Sequence, residues 1–213
     1  MKQIEVKFPS GELLLEGVLG LPGGKGPFPA VIMCHPHPLY GGSMDNNVVD
    51  SICVALAHAS LVSFKFNFRG VGRSQGTHSG GAGETEDVAA AISFVSDLAE
   101  VDLERIGLAG YSAGAGYALP ICVNDVRVKA LAAVSPPLAM FDFEMLKDCR
   151  KPKFLISGDR DSFTSVSQFL QFCQGLAEPR ECHSVESADH FWWGHEKALA
   201  EKVVAFFTRE LGE

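Results

Sequence analysis

Residues 3–8 and 13–19 alternate polar and apolar positions, the period-two pattern of strands with one covered face. Pro9-Ser10-Gly11 between them predicts a hairpin. After the Gly- and Pro-rich stretch 21–27 the pattern changes. Ala30-Val31-Ile32-Met33-Cys34 is wholly apolar, as expected of a strand covered on both faces. The spacing of Val48, Val49, Ile52 and Leu56 predicts a helix over 46–59, and residues 61–68 read as a strand before the glycine-rich loop 69–76. The alternation continues with helix 85–99, strand 106–109, helix 113–123, strand 130–134, strand 154–157, helix 163–176, strand 181–185 and a helix at about 194–210. An antiparallel hairpin feeding strand–helix units predicts the α/β class, a mostly parallel central sheet with helices on both faces. No repeat or low-complexity tract interrupts it, so residues 1–213 read as one domain. Ligands then bind beyond the carboxyl ends of the strands.

Composition narrows the partners. Eighteen basic against 26 acidic residues give a formal charge of −8. Nucleic acid and anionic membrane surfaces both need clustered Lys and Arg, so neither is expected. The apolar run 106–123 is long enough to suggest a membrane span, but its glycines, Ser112 and Pro120 favour strand, turn and helix. The amino terminus lacks the apolar run of a secretion signal, which predicts a cytoplasmic protein. Six cysteines without a C-x-x-C pair then predict buried free thiols.

Chemistry is concentrated at strand ends. Gly110-Tyr111-Ser112-Ala113-Gly114 places a serine between a strand and a helix. A nucleophile on so sharp a turn brings positions 110 and 114 against neighbouring backbone, which is why both are glycine. The same turn aims the Ala113 N–H and the helix dipole at a developing oxyanion. A serine hydroxyl needs a base and a third group to orient that base. Gly158-Asp159-Arg160-Asp161-Ser162 offers two carboxylates after one strand; Asp159 is placed to shape the turn, and Asp161 is a candidate either for the acid or for a helix cap. Glu186-Ser187-Ala188-Asp189-His190 follows the last strand, and His190 is preferred as base over His183, inside a strand, and His195, at a helix start.

A second oxyanion donor is expected from His35-Pro36-His37-Pro38-Leu39-Tyr40-Gly41-Gly42, after the strand 30–34. Pro36 and Pro38 have no N–H, leaving His37 and Leu39, of which His37 is favoured. His35 and His37 as a metal pair lack a third ligand at suitable spacing, so no metal is expected, and His35 reads as a packed residue that fixes the loop. Together these residues imply a serine hydrolase of small esters working through an acyl-enzyme. Thioesterase, peptidase or acyltransferase action would use the same parts, and a non-catalytic binding protein on this scaffold is the alternative from another class. The partner expected is a small-molecule ester, with room left for a homodimer.

These motifs, with Phe66-Asn67-Phe68-Arg69-Gly70-Val71-Gly72-Arg73-Ser74 and Gly83-Glu84-Thr85-Glu86-Asp87, resemble the α/β-hydrolase superfamily. More closely the chain is similar to small bacterial hydrolases related to dienelactone hydrolase that carry an H-P-H-P loop. The resemblance implies a serine hydrolase without a cofactor, with Ser112, Asp161 and His190 as triad and the second aspartate of the acid loop as its acid. Dienelactone hydrolases themselves use cysteine where this chain has Ser112. Lids of such proteins are inserted between the strands ending at 134 and starting at 154; residues 135–153 are too few for a helical cap, and no large lid is expected. Pro136, Pro137, Leu138, Met140, Phe141 and Phe143 offer either an apolar wall of the site or a hydrophobic connection over the core.

Overall fold

The structure, a computed structural model, describes residues 1–212. Strand β1 (Lys2–Ser10) turns back into β2 (Leu13–Leu21). The turn is Gly11-Glu12 and not the expected Pro9-Ser10-Gly11, because Pro9 and Ser10 pair with Leu14 and Leu13 in the ladder. A proline is tolerated there because β1 is an edge strand. The units that follow are β3 (Phe28–Cys34), α1 (Asn47–His58), β4 (Val62–Phe66), α2 (Ala82–Ser96), β5 (Val101–Tyr111) and α3 (Ala113–Asn124). Then come β6 (Val128–Val134), β7 (Lys153–Gly158), α4 (Val166–Gln174), β8 (Arg180–Val185) and α5 (Glu196–Leu211).

The eight strands form one sheet in the order β1-β2-β4-β3-β5-β6-β7-β8. Pairing is antiparallel from β1 through β2 to β4 and parallel from β4 onward. Two apolar layers sandwich it. One joins Phe64, Phe66 and Leu108 to Val88 of α2, Tyr117 of α3 and Phe169 of α4. The other joins Val31, Ala132 and Ile156 to Ile52 of α1 and Phe206 of α5. Helices therefore cover both faces, as the continuous apolar strands require. Among the described residues no helix is long and apolar enough to cross a membrane. All six cysteines are unpaired, five of them buried.

From β3 the chain moves through α1 to β4 on one side, whereas β5 lies on the other side of β3. The sequence of strands thus reverses direction between β3 and β5, and the crevice beyond their carboxyl ends is the natural ligand site. The loops entering it start at His35 and Ser112. The segment between β6 and β7 holds only a short 3₁₀ turn, Glu144–Leu146, and builds no lid.

Candidate active site

Ser112 sits between the last residue of β5 and the first of α3 with φ 54° and ψ −124°, a strained conformation for a side-chain-bearing residue. Its N–H donates to Val134 O at 2.9 Å, which ties the elbow to β6. The flanking glycines are required by contact. A Cβ on Gly110 would stand 2.4 Å from Ala115 N, and one on Gly114 would stand 2.4 Å from Cys34 O.

Three side chains distant in sequence meet here. Ser112 Oγ lies 3.0 Å from His190 Nε2, and His190 Nδ1 lies 2.8 Å from Asp161 Oδ2. All three are nearly closed to water, at 9%, 4% and 6% exposure for Ser112, His190 and Asp161. Burial pushes the Asp161 carboxyl up, but bonds from the His190 ring, the Phe163 N–H and the Ser135 hydroxyl bring it below the ordinary carboxylate value. An ionised carboxylate only accepts, so Nδ1 carries the ring proton and Nε2 presents its lone pair to the serine hydroxyl.

Asp161 faces the histidine and does not cap the following helix, whose cap is Ser165. Its Oδ1 accepts from the N–H groups of Phe163 and Thr164 at 2.8 and 3.3 Å, while Oδ2 faces the histidine. These bonds hold 163–164 out of the helix, so α4 starts at Val166 under a Ser165 cap instead of at 163. Asp159 instead accepts the Ser187 N–H at 2.8 Å, and Asp189 accepts the N–H groups of Phe191 and Trp192. His183 pairs with Glu181 in β8, and His195 precedes α5; neither is brought to the serine.

The His35 ring is fully used. Its Nδ1–H donates to Pro36 O at 2.6 Å and its Nε2 accepts the Phe68 N–H at 3.1 Å. Burial holds this imidazole neutral, with its pKa lowered to about 4. The C=O and N–H of a planar trans peptide point in opposite directions. By holding Pro36 O, His35 therefore turns the His37 N–H the other way, away from its own ring. The Leu39 N–H is engaged by His37 Nδ1 at 3.2 Å, which leaves His37 as the freer of the two donors. The His37 ring is held below the ordinary imidazole value by its partial burial and by His78, 5.0 Å away.

Two contacts were not expected from the sequence. The Tyr111 hydroxyl, next to the serine, donates to His190 O at 2.8 Å. Trp192, buried and at φ 62°, donates its indole N–H to Ser135 Oγ at 3.0 Å. The first fastens the histidine loop to β5, which carries Ser112, and the second fastens it to Ser135 at the end of β6. An aromatic residue with an N–H or O–H beside a reactive position was the only available signal.

The site opens into a cavity of about 490 Å³, lined among others by Pro36, His37, Gly42, Ala113, Pro137 and Met140. Of the expected apolar wall only Pro137 and Met140 line it. Phe143 is buried, and Phe141 packs on Gly116 and Tyr117, because α3 presents a glycine there that admits the ring. Among the described residues no group of three or more His, Cys, Asp or Glu is placed to hold a metal ion.

A family model described as an alpha/beta hydrolase domain matches residues 30–202. A structure of an alpha-beta serine hydrolase homologue from Coxiella burnetii is 33% identical, covers 96% of this chain and 97% of its own, and superposes with a TM-score of 0.87. An α/β serine hydrolase without lid from Xanthomonas campestris is 26% identical, covers 100% and 97%, and has a TM-score of 0.86. In sequence, the chain is 32% identical to a thiohydrolase of Arthrinium phaeospermum over 76% of its own length and 51% of that protein. It is also 31% identical to an uncharacterized protein of Rickettsia prowazekii, over 77% and 72%.

Proposed function

The chain belongs to the alpha/beta hydrolase family, and from that premise we propose that it is a serine hydrolase of small esters with Ser112, His190 and Asp161 as its triad. The observation that carries this reading is the unbroken hydrogen-bonded line from Ser112 Oγ through the His190 ring to Asp161, at 3.0 and 2.8 Å.

His190 Nε2 takes the Ser112 proton as Oγ attacks the ester carbonyl carbon. The N–H groups of Ala113 and His37 hold the resulting oxyanion, aided by the amino-terminal end of α3. Collapse of the tetrahedral adduct expels the alcohol oxygen, which takes the proton from His190 and leaves an acyl group on Ser112. Water then attacks through the same base, and the acid departs. Asp161 keeps its charge throughout and stabilises the imidazolium in each half. No metal or cofactor enters this scheme, and six unpaired thiols suit a reducing cytoplasm.

Hydrolysis of thioesters is a second reading, favoured by the similarity to a thiohydrolase. The chain spans about half of that relative, and the same residues would perform the chemistry. Labelling by a fluorophosphonate, with and without Ser112→Ala, tests the nucleophile. An ester and a thioester of the same acyl group then separate the readings by their kcat/KM. Absence of labelling in the intact protein overturns both.

A further inference from the structure

Exposed hydrophobic side chains are unevenly distributed over the molecule. Eleven large ones are exposed among the described residues, and four of these, Tyr40, Met140, Phe163 and Phe191, line the Ser112 cavity. Leu39 and Trp193, also exposed, lie one and two residues from them in the chain. Among the described residues no Lys, Arg, Asp or Glu lines the cavity.

Two of these side chains have a defined relation to the reaction. The Phe163 ring centroid is 4.3 Å from that of His190, and the Phe191 centroid is 5.6 Å away on an edge-on ring. His190 must protonate the departing alcohol oxygen, so the group attached to that oxygen leaves past the imidazole. The aromatic rings against the imidazole therefore border the alcohol half of the ester. Their main chains are also fixed: the Phe163 N–H donates to Asp161 and the Phe191 N–H to Asp189. The rings are exposed, yet they stand on anchored backbone and need little ordering to bind.

We propose that Phe163 and Phe191 form an alcohol-side subsite that selects an uncharged, apolar leaving group, with an arylmethyl alcohol as its best fit. This rests on the serine-hydrolase reading and adds to it which half of the substrate is recognised. Aromatic rings of a ligand gain from offset or edge-on packing on these two faces. A carboxylate on the same group would meet no Lys or Arg among the described residues lining the cavity, in a chain of formal charge −8.

Benzyl acetate and ethyl acetate provide the test, since both give the same acetyl-enzyme and differ only in the alcohol. The expected kcat/KM ratio of benzyl to ethyl is about tenfold or more, the effect of burying a few additional carbons. Adding a 4-carboxylate to the benzyl group removes that gain. Phe163→Ala and Phe191→Ala each lower the benzyl-to-ethyl ratio by about threefold or more. Phe163→Leu, which keeps apolar bulk, lowers it less, and fluorophosphonate labelling confirms that each variant retains its site. A wild-type ratio near one, a faster carboxylated ester, or a ratio unmoved in both alanine variants overturns the subsite. If ethyl acetate hydrolysis is nonetheless abolished by Ser112→Ala, the serine-hydrolase reading stands while the subsite falls. If neither ester is cleaved and no label is taken up, the reading fails and the subsite fails with it.

Discussion

The floor and the rim of one cavity are built in opposite ways. On the floor, Ser112, Asp161 and His190 are each less than a tenth exposed and are held by bonds from several strands. On the rim, Tyr40, Met140, Phe163 and Phe191 are between 46% and 80% exposed. Proton transfer and oxyanion stabilisation depend on geometry fixed before the substrate arrives, which needs a rigid, dry interior. Apolar recognition depends on area and tolerates approximate placement, so it can wait on the surface until the substrate displaces water. Changes to the floor should therefore act on the rate of chemistry, and changes to the rim on the choice of substrate.

The largest expected effect comes from breaking the floor at its centre. Ser112→Ala should lower kcat for ester hydrolysis by about ten-thousand-fold, while thermal unfolding stays close to that of the parent. Retention of more than about a tenth of the activity would show that another group attacks. Next comes the acid: Asp161→Asn should cost about a hundred- to ten-thousand-fold, and Asp159→Asn less than about tenfold. Asp159 serves only the Ser187 N–H. Equal losses from the two variants would mean that the acid loop works as a unit.

Legibility in the sequence follows the same division. Ser112, Asp161 and His190, which the fold brings together, could be singled out because the chemistry proposed for them dictates residue types at strand ends and the elbow forces glycine at 110 and 114. The sheet could be read because strands covered on both faces are continuously apolar. The turn at Gly11-Glu12 and the start of α4 were misplaced by the local pattern. A ladder pair at Pro9 and a carboxylate holding two N–H groups overrode it. Of the rim only Met140 could be read, as part of the expected apolar wall. Tyr40, Phe163 and Phe191 come from three separate loops, and each alone resembles an ordinary surface hydrophobic. Tyr111 and His190 are 79 residues apart, and nothing local announces their bond.

A smaller effect comes from acid, through His35. Burial lowers its pKa from 6.5 to about 4, so the unfolded chain binds a proton at a pH where the folded protein does not. The stabilisation is complete above about pH 6.5 and is lost progressively as pH falls toward 4, amounting to about 3 kcal/mol. Asp161 behaves similarly at lower pH: its lowered pKa contributes stability that is present above the ordinary carboxylate range and lost as pH falls through the folded value. Denaturant titrations at pH 7.5 and 4.5 should therefore differ, and His35→Gln, less stable at pH 7.5, should show a smaller difference. An equal pH dependence in both proteins would assign the loss to other groups.

The smallest effect distinguishes floor from rim within one residue type. Tyr111 and Tyr40 both line the cavity, but Tyr111 is buried and donates to His190 O at 2.8 Å, whereas Tyr40 is 80% exposed. Removing the Tyr111 hydroxyl leaves the His190 carbonyl without that donor inside the protein, which costs about 1 kcal/mol of stability. The same loss loosens the histidine against the serine, so Tyr111→Phe should lower kcat about tenfold and leave KM nearly unchanged. Tyr40→Phe removes a hydroxyl that water already solvates, and its unfolding free energy should move by less than about 0.5 kcal/mol. Any change in its kinetics should fall on KM, since it alters only the surface that a substrate covers. Paired melting curves and steady-state kinetics on one ester decide the matter. A kcat loss in Tyr40→Phe as large as that in Tyr111→Phe would show that the rim takes part in positioning the chemistry, and the division between rigid floor and adaptable rim would fail.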